Sequence, residues 1–134
     1  MAAAKRRGGS TADRAAHLLL GEEGERRAAR FLVEQGGEIL ARNYRWSRAE
    51  IDLVVRFPDG LHFVEVKTRR WRDAEAAARA VDRRKQRSLL AAASRYMEDA
   101  GYAGDFQFDI VVAILGVGGD AELRWRRDAF GFMN

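Results

Sequence analysis

The chain has no cysteine, one proline and two histidines among its 134 residues. Without cysteine there can be no disulfide and no thiolate metal site. His17 and His62 alone are too few for a histidine-rich zinc centre. Any bound metal would be held by oxygen, which points to a hard cation such as magnesium or, with similar ligands, manganese. No apolar run is long enough to cross a bilayer, so no membrane partner is expected. The opening MAAAKRRGGS carries charge but no apolar stretch behind it, unlike a secretory signal. Residues 1–10 therefore read as a disordered basic tail, and the protein is expected in the cytoplasm. Repeats and long linkers are lacking too, so residues 11–134 are expected to form one domain.

Hydrophobic residues make up 47% of the chain, enough to build a core. The net charge is only +4, from 24 Lys and Arg against 20 Asp and Glu, so the distribution of charge says more than its sum. Lys67, Arg69, Arg70 and Arg72 crowd around Trp71. Arg79, Arg83, Arg84, Lys85 and Arg87 form a second group. Such clusters suit phosphate backbones, although either one alone also describes a solvated face.

Ser10 and Thr11 can cap a helix running to about Gln35, with Ala15, Leu18, Leu19, Ala28, Phe31 and Leu32 at helical spacing. Gly21 and Gly24 weaken its middle, and Gly36-Gly37 ends it. EILARNYRW, EIDLVVRF and LHFVEVKTR read as three strands. Ile51, Leu53 and Val55 are expected on one face of the second, with Glu50, Asp52 and Val54 on the other. In the third, Phe63, Glu65 and Lys67 oppose His62, Val64 and Val66. Residues 73–80 are alanine-rich and partly helical in expectation. Asp82 caps a helix from Arg83 to about Ala100. DFQFDIVVAIL is a core strand, and ELRWRRDAF is a last strand whose arginines suggest one open face. A helix between the third and fourth strands makes those strands parallel neighbours, which predicts an α/β fold on a mixed sheet flanked by helices.

Pro58-Asp59-Gly60 marks a hairpin turn. If Asp59-Gly60 is a two-residue loop, Pro58 lies opposite Leu61, Asp52 opposite Lys67 and Val54 opposite Glu65. A bulge at Gly60 would shift that register by one. In the first arrangement three charged groups share one face of otherwise apolar strands. Asp followed by Glu-x-Lys is an ordinary salt-bridge pattern when taken alone. The apolar setting and the flanking basic clusters raise it to a candidate site. Asp52 and Glu65 could hold a divalent cation with the carbonyl of Val66 and water, and Lys67 could orient the attacking water or neutralise charge on a phosphodiester. Glu25 could complete the shell. His62 faces away and reads as structural. Trp46, Trp71 and Trp125 read as packing or rim residues, with Trp71 the best stacking candidate.

GEEGERRAARFLVEQGGEILARNYR, AEIDLVV, FVEVKTRR, AVDRRKQRSLLAAASRYM and FDIVVAI, in that order, resemble the YraN family over about residues 20–130. This bacterial family is placed by sequence similarity in the PD-(D/E)XK nuclease superfamily, near the archaeal Holliday-junction resolvases. The resemblance implies a restriction-endonuclease-like αβββαβ core. It matches Asp52 to the carboxylate before the hairpin, Glu65 and Lys67 to Glu-x-Lys, Glu25 to the early helical glutamate, and Lys85 and Gln86 to the polar start of the second helix. Ala49 stands where the family usually has glycine, and WRDAEAAARAV lacks another expected glycine. The resemblance implies a magnesium- or manganese-dependent DNA endonuclease, acting on branched DNA or recombination intermediates and working as a homodimer. Its nucleic-acid-binding residues would be Arg69, Arg70, Arg72, Arg83, Arg84, Lys85 and Gln86. The alternative is a non-catalytic nucleic-acid-binding or architectural protein that keeps the fold.

Overall fold

The computed structural model describes residues 10–73 and 82–131. Residues 1–9 of the expected N-terminal tail and nearly all of the alanine-rich stretch at 73–80, with Arg79, lie outside the described residues, while Ser10 belongs to the first helix cap. Helix α1 (Thr11–Glu34) begins at a reciprocal cap. The Ser10 hydroxyl accepts the Asp13 N–H at 3.2 Å, and the Asp13 carboxylate accepts the Ser10 N–H at 3.3 Å. Strands β1 (Glu38–Trp46), β2 (Ala49–Phe57) and β3 (Gly60–Arg70) follow as an antiparallel meander. After α2 (Arg83–Ala100), strand β4 (Phe106–Leu115) pairs parallel with β3, and β5 (Ala121–Phe130) pairs antiparallel with β4. The sheet order is β1-β2-β3-β4-β5, a mixed sheet in an α/β fold consistent with a restriction-endonuclease-like core.

Each helix covers a different part of the sheet. Helix α1 lies mainly across β3 and β4, burying Ala28, Ala29 and Leu32 against Leu53, Val55, Val64 and Val111. On the other face α2 lies over β2 and β1, burying Leu89, Ala92 and Ala93 against Ile51, Val54, Phe63 and Phe108. Each fully buried Leu, Ile or Phe contributes roughly 1.5–3 kcal/mol. Gly24 explains how closely α1 sits on β3. A Cβ there would stand 1.9 Å from the Thr68 hydroxyl oxygen. The glycine costs the helix about 1 kcal/mol but lets it rest directly on the strand, and so brings the next residue, Glu25, to the end of the sheet.

The hairpin register differs from both expected forms. Phe57 pairs with Gly60, Val55 with His62, Val54 with Phe63 and Leu53 with Val64. The loop is therefore Pro58-Asp59, not Asp59-Gly60. Proline fixes φ near −65°, which suits the first central position of a turn, with glycine favoured after the second. Gly60 also has φ 135°, and a Cβ there would stand 2.4 Å from the Asp105 carbonyl oxygen. Pairing Asp52 with Lys67 and Val54 with Glu65 is thus overturned: one step beyond Leu53–Val64 in this register sets Asp52 beside Glu65.

The expected alternation of β2 also breaks. Leu53 and Val55 pack under α1, but Ile51 packs under α2 with Val54. The paired β2–β3 ladder ends at Leu53–Val64. The Val66 N–H, which a continuing ladder would give to a backbone carbonyl, goes instead to the Asp52 carboxylate at 2.7 Å.

A buried polar network ties β5 to the sheet on the α1 side. His62, 1% exposed, donates from Nδ1 to Asp109 at 2.6 Å and from Nε2 to Asp59 at 2.7 Å. Asp109, fully buried, also accepts from Gln107 and the Asp128 N–H, each at 2.8 Å, and from the Trp125 indole at 2.9 Å. Arg127 reaches Asp59 at 3.1 Å. Both ring nitrogens of His62 face carboxylates, so it is held as imidazolium. Burial pulls its pKa down, but the bonds to Asp109 and Asp59 prevail and hold it above the ordinary value. Burial likewise pushes Asp109 up, and its four donors overcome that to hold it below the carboxylate range. The expected structural role of His62 is what the packing gives it.

Candidate active site

Where β2 and β3 part, the chain opens a cleft of about 800 Å³ between the start of α2 and the middle of α1. Glu25, Asp52, Glu65 and Val66 line it, with Arg84 and Lys85 from α2. Six of the expected site residues therefore meet there. Arg48, Glu50, Asp82 and Ser88 complete the polar lining. Ala49 and Leu89 are the other apolar residues of the lining.

Asp52 sits deepest in charge terms. Burial pushes its pKa up, the Val66 N–H opposes, and the nearby charges of Glu65, Glu25 and Glu50 add to the rise, which ends at about 7. Asp52 therefore has one hydrogen bond and three like charges around it. Lys67 is part-buried one alternation beyond Glu65. Burial lowers its pKa first, and the charges of Arg69, Lys85 and Arg126 lower it further against the pull of Glu65. A lysine so placed gives up a proton more readily than one in water.

Glu65, only 12% exposed in its side chain, is ion-paired with Lys85, which reaches across from the first turn of α2. The turn itself is capped by Asp82, whose carboxylate accepts the Lys85 N–H at 2.9 Å. Glu25 is held by Asn43. The Asn43 amide donates to Glu25 at 3.2 Å and to Glu50 at 2.8 Å. Asn43 has φ 51°, a left-handed conformation that asparagine tolerates better than most residues. Arg45 reaches Glu50 at 3.4 Å from the far side.

The other expected contacts spread outward. Arg70 and Arg72 line a separate recess of about 240 Å³ with Trp71, which is 64% exposed. Arg69 turns back to donate to the Thr68 carbonyl at 2.8 Å. Arg83 is exposed at the start of α2, and the Gln86 N–H bonds the Asp82 carbonyl at 2.9 Å within the first turn. Trp125 stacks on Phe57 with ring centres 5.4 Å apart, a packing role, and Trp46 lies beneath the Arg95 guanidinium.

Sequence reasoning missed Arg48 and Glu50 in the cleft, and Asn43, which bonds Glu25 and Glu50 from outside its lining. Glu50 carried a signal, two residues before Asp52 in an apolar strand. Asn43 and Arg48 carried none, because their places depend on the β1–β2 turn. The residues that could hold a metal are Asp52, Glu65 and the Val66 carbonyl. No group of three or more His, Asp or Glu side chains converges at metal-ligand spacing among the described residues. Magnesium does not need one, since it binds through one or two carboxylates and keeps several waters. The crowding of negative charge around Asp52 is what a divalent cation would relieve, so the donor set fits.

Comparison with known proteins gives the family of the chain. The model of the uncharacterised protein family UPF0102 matches residues 24–113. A UPF0102 protein of Rhodococcus jostii is 41% identical over 115 residues, covering 85% of this chain and 98% of its own length. One from Ralstonia nicotianae is 45% identical over 118 residues, covering 83% and 85%. The matched span includes every cleft-lining side chain named above, from Glu25 on α1 to Leu89 on α2, and the chain belongs to UPF0102, the YraN family.

Proposed function

We propose that this chain is a metal-dependent endonuclease hydrolysing phosphodiester bonds in DNA, with branched molecules or recombination intermediates as substrates. One observation carries the reading: where β2 and β3 part, Asp52, Glu65 and Val66 line one open cleft, with Lys67 outside that lining, one alternation beyond Glu65 on β3. A magnesium or manganese ion bound there would supply a water of lowered pKa and a counter-charge for the phosphoryl oxygens. Asp52 and Glu65 would hold it, and Glu25, fixed by Asn43, would receive a water ligand. Lys67 would donate a hydrogen bond to the attacking water or to a non-bridging oxygen, where its ammonium counters the charge that develops. Arg84 and Lys85 would grip the flanking phosphates, with Arg69, Arg70, Arg72, Arg83 and Gln86 farther along the strand. Two symmetric cuts in a junction call for a homodimer.

The Glu65–Lys85 ion pair supports a second reading. Lys85 already neutralises one of the two metal-binding carboxylates, as it would in a nucleic-acid-binding protein that needs no metal.

Cleavage of labelled linear, single-stranded, flap and four-way-junction DNA separates the two. The purified chain would be assayed with magnesium, with manganese and with chelator, beside Asp52→Ala. Metal-dependent cuts that vanish in the variant are expected. Cuts that persist in Asp52→Ala would sink the site assignment, and binding without any cut would select the second reading.

A further inference from the structure

The open face of the sheet beyond α2 carries a basic surface that the cleft does not include. Strand pairing fixes its layout. Glu65 lies beside Ile110, and Ile110 beside Arg126; Lys67 lies beside Val112, and Val112 beside Arg124. With neighbouring strands about 4.8 Å apart, each arginine stands roughly 10 Å from its β3 partner, measured across the sheet. Residues matched in this way share a face, so Arg126 and Arg124 project on the side of Glu65 and Lys67. Both are exposed. Arg126 is close enough for its charge to act on Lys67, along with Arg69 and Lys85. Arg124 bonds Glu122 at 2.6 Å, an exposed pair that a phosphate can replace at little cost. Helix α2 lies over β1 and β2, which keeps it to the other side of the cleft.

Positive charge thus flanks the acidic floor on two sides. Arg48, Arg84 and Lys85 stand at the rim toward β1 and α2. Lys67, Arg126 and Arg124 form a row leading away across β3, β4 and β5. A row of cations along the sheet suits a phosphodiester backbone, which presents one negative charge per nucleotide. We infer that β5 is part of the DNA-binding surface, with Arg126 and Arg124 holding phosphates of the strand that leaves the cleft past Lys67. The inference rests on the reading of the cleft as a nucleic-acid site, and it adds a direction to the path and two contacts outside both basic clusters of the sequence.

Binding of fluorescein-labelled duplex and single-stranded DNA, followed by anisotropy in chelator over a range of salt concentrations, tests it. Arg126→Gln and Arg124→Gln would be compared with Arg30→Gln, the same loss of charge on an exposed turn of α1. Each β5 variant is expected to weaken binding roughly fivefold near 0.1 M salt and to reduce the slope of log affinity against log salt by about 1. Arg30→Gln should leave the slope unchanged. If the β5 variants match Arg30→Gln, the inference fails. Cleavage by the parent chain in magnesium, read alongside, keeps it distinct from the reading of the cleft. Cuts with unchanged β5 binding overturn the path and leave the nuclease standing. Slope losses at Arg126 and Arg124 in a chain that never cuts support the path and remove the nuclease. No DNA binding by the parent chain overturns both.

Discussion

Two aspartates on apolar strands, the part-buried Asp52 and the fully buried Asp109, show how one fold treats the same side chain in opposite ways. Asp109 is fully buried, yet four donors surround it and its carboxyl is held below the ordinary range. Asp52 receives one backbone N–H, faces Glu65, Glu25 and Glu50, and is pushed up to about 7. The first arrangement is complete, so its ionised form is stable and it locks β5 to β4. The second is short of positive charge and faces a cleft. A buried carboxylate with all its partners is part of the framework, whereas one that lacks them is placed to receive a cation.

The largest effect should come from breaking the complete network. Asp109→Ala leaves the His62 imidazolium without its main partner and is expected to cost about 3–5 kcal/mol, read by urea or thermal melting. At Gly24, a methyl would meet Thr68 and lift α1 from β3. Gly24→Ala should therefore cost about 1–3 kcal/mol and weaken metal binding by displacing Glu25. Asp52→Asn should act in the opposite sense. In chelator at pH 8 it is expected to raise stability by about 1–2 kcal/mol, because an ionised Asp52 is costly there. That gain should shrink as pH falls below about 7 and vanish below about 3.8, where the parent carboxyl is protonated in both folded and unfolded chains. Magnesium should raise the melting temperature of the parent and leave Asp52→Asn unmoved. The smallest effect is expected for Asn43→Gly. Glycine accepts φ 51°, so stability should change by less than about 1 kcal/mol. The metal concentration for half-maximal stabilisation should still rise, because Glu25 and Glu50 lose the amide between them.

Within the network the histidine and the two aspartates respond to pH in opposite senses. The folded pKa of His62 is raised, so its stabilisation is present below about 6.5 and is lost as pH rises through the folded value. Those of Asp109 and Asp59 are lowered, so theirs is present above about 3.8 and is lost as pH falls through the folded values. The network is strongest between those limits, and His62→Gln should flatten the alkaline side of a stability profile.

The sequence carried the element order, both helix caps and the central pair because these rest on local signals. Ser10 and Asp82 stand at the starts of polar-to-apolar transitions, and Glu-x-Lys sits in an apolar strand. The hairpin register was misread because Pro58 was counted as a strand residue, although its ring suits the turn. The break in alternation between Ile51 and Leu53 was invisible, because the ladder ends where a side chain takes over a backbone bond. Asp109 had a readable signal, an aspartate inside FDIVVAI and a histidine inside LHFV, but its four donors come from three separate stretches. Arg126 and Arg124 were seen as marks of an open face. Their link to Glu65 and Lys67 needed the parallel pairing of β3 with β4.

The contiguous β1–β2–β3 meander also bears on how the molecule assembles. Its pairings close short loops, and they bring Asp52 and Glu65 together from a single hairpin. Joining β4 to β3 must close the much longer loop from Leu61 to Phe106, at a greater entropic cost. The acidic pair therefore belongs to the part of the chain that can organise early, and the Asp109 network to the part that can form only after α2 has been placed. Substitutions in the hairpin should slow folding, whereas those at Asp109 and Trp125 should mainly speed unfolding.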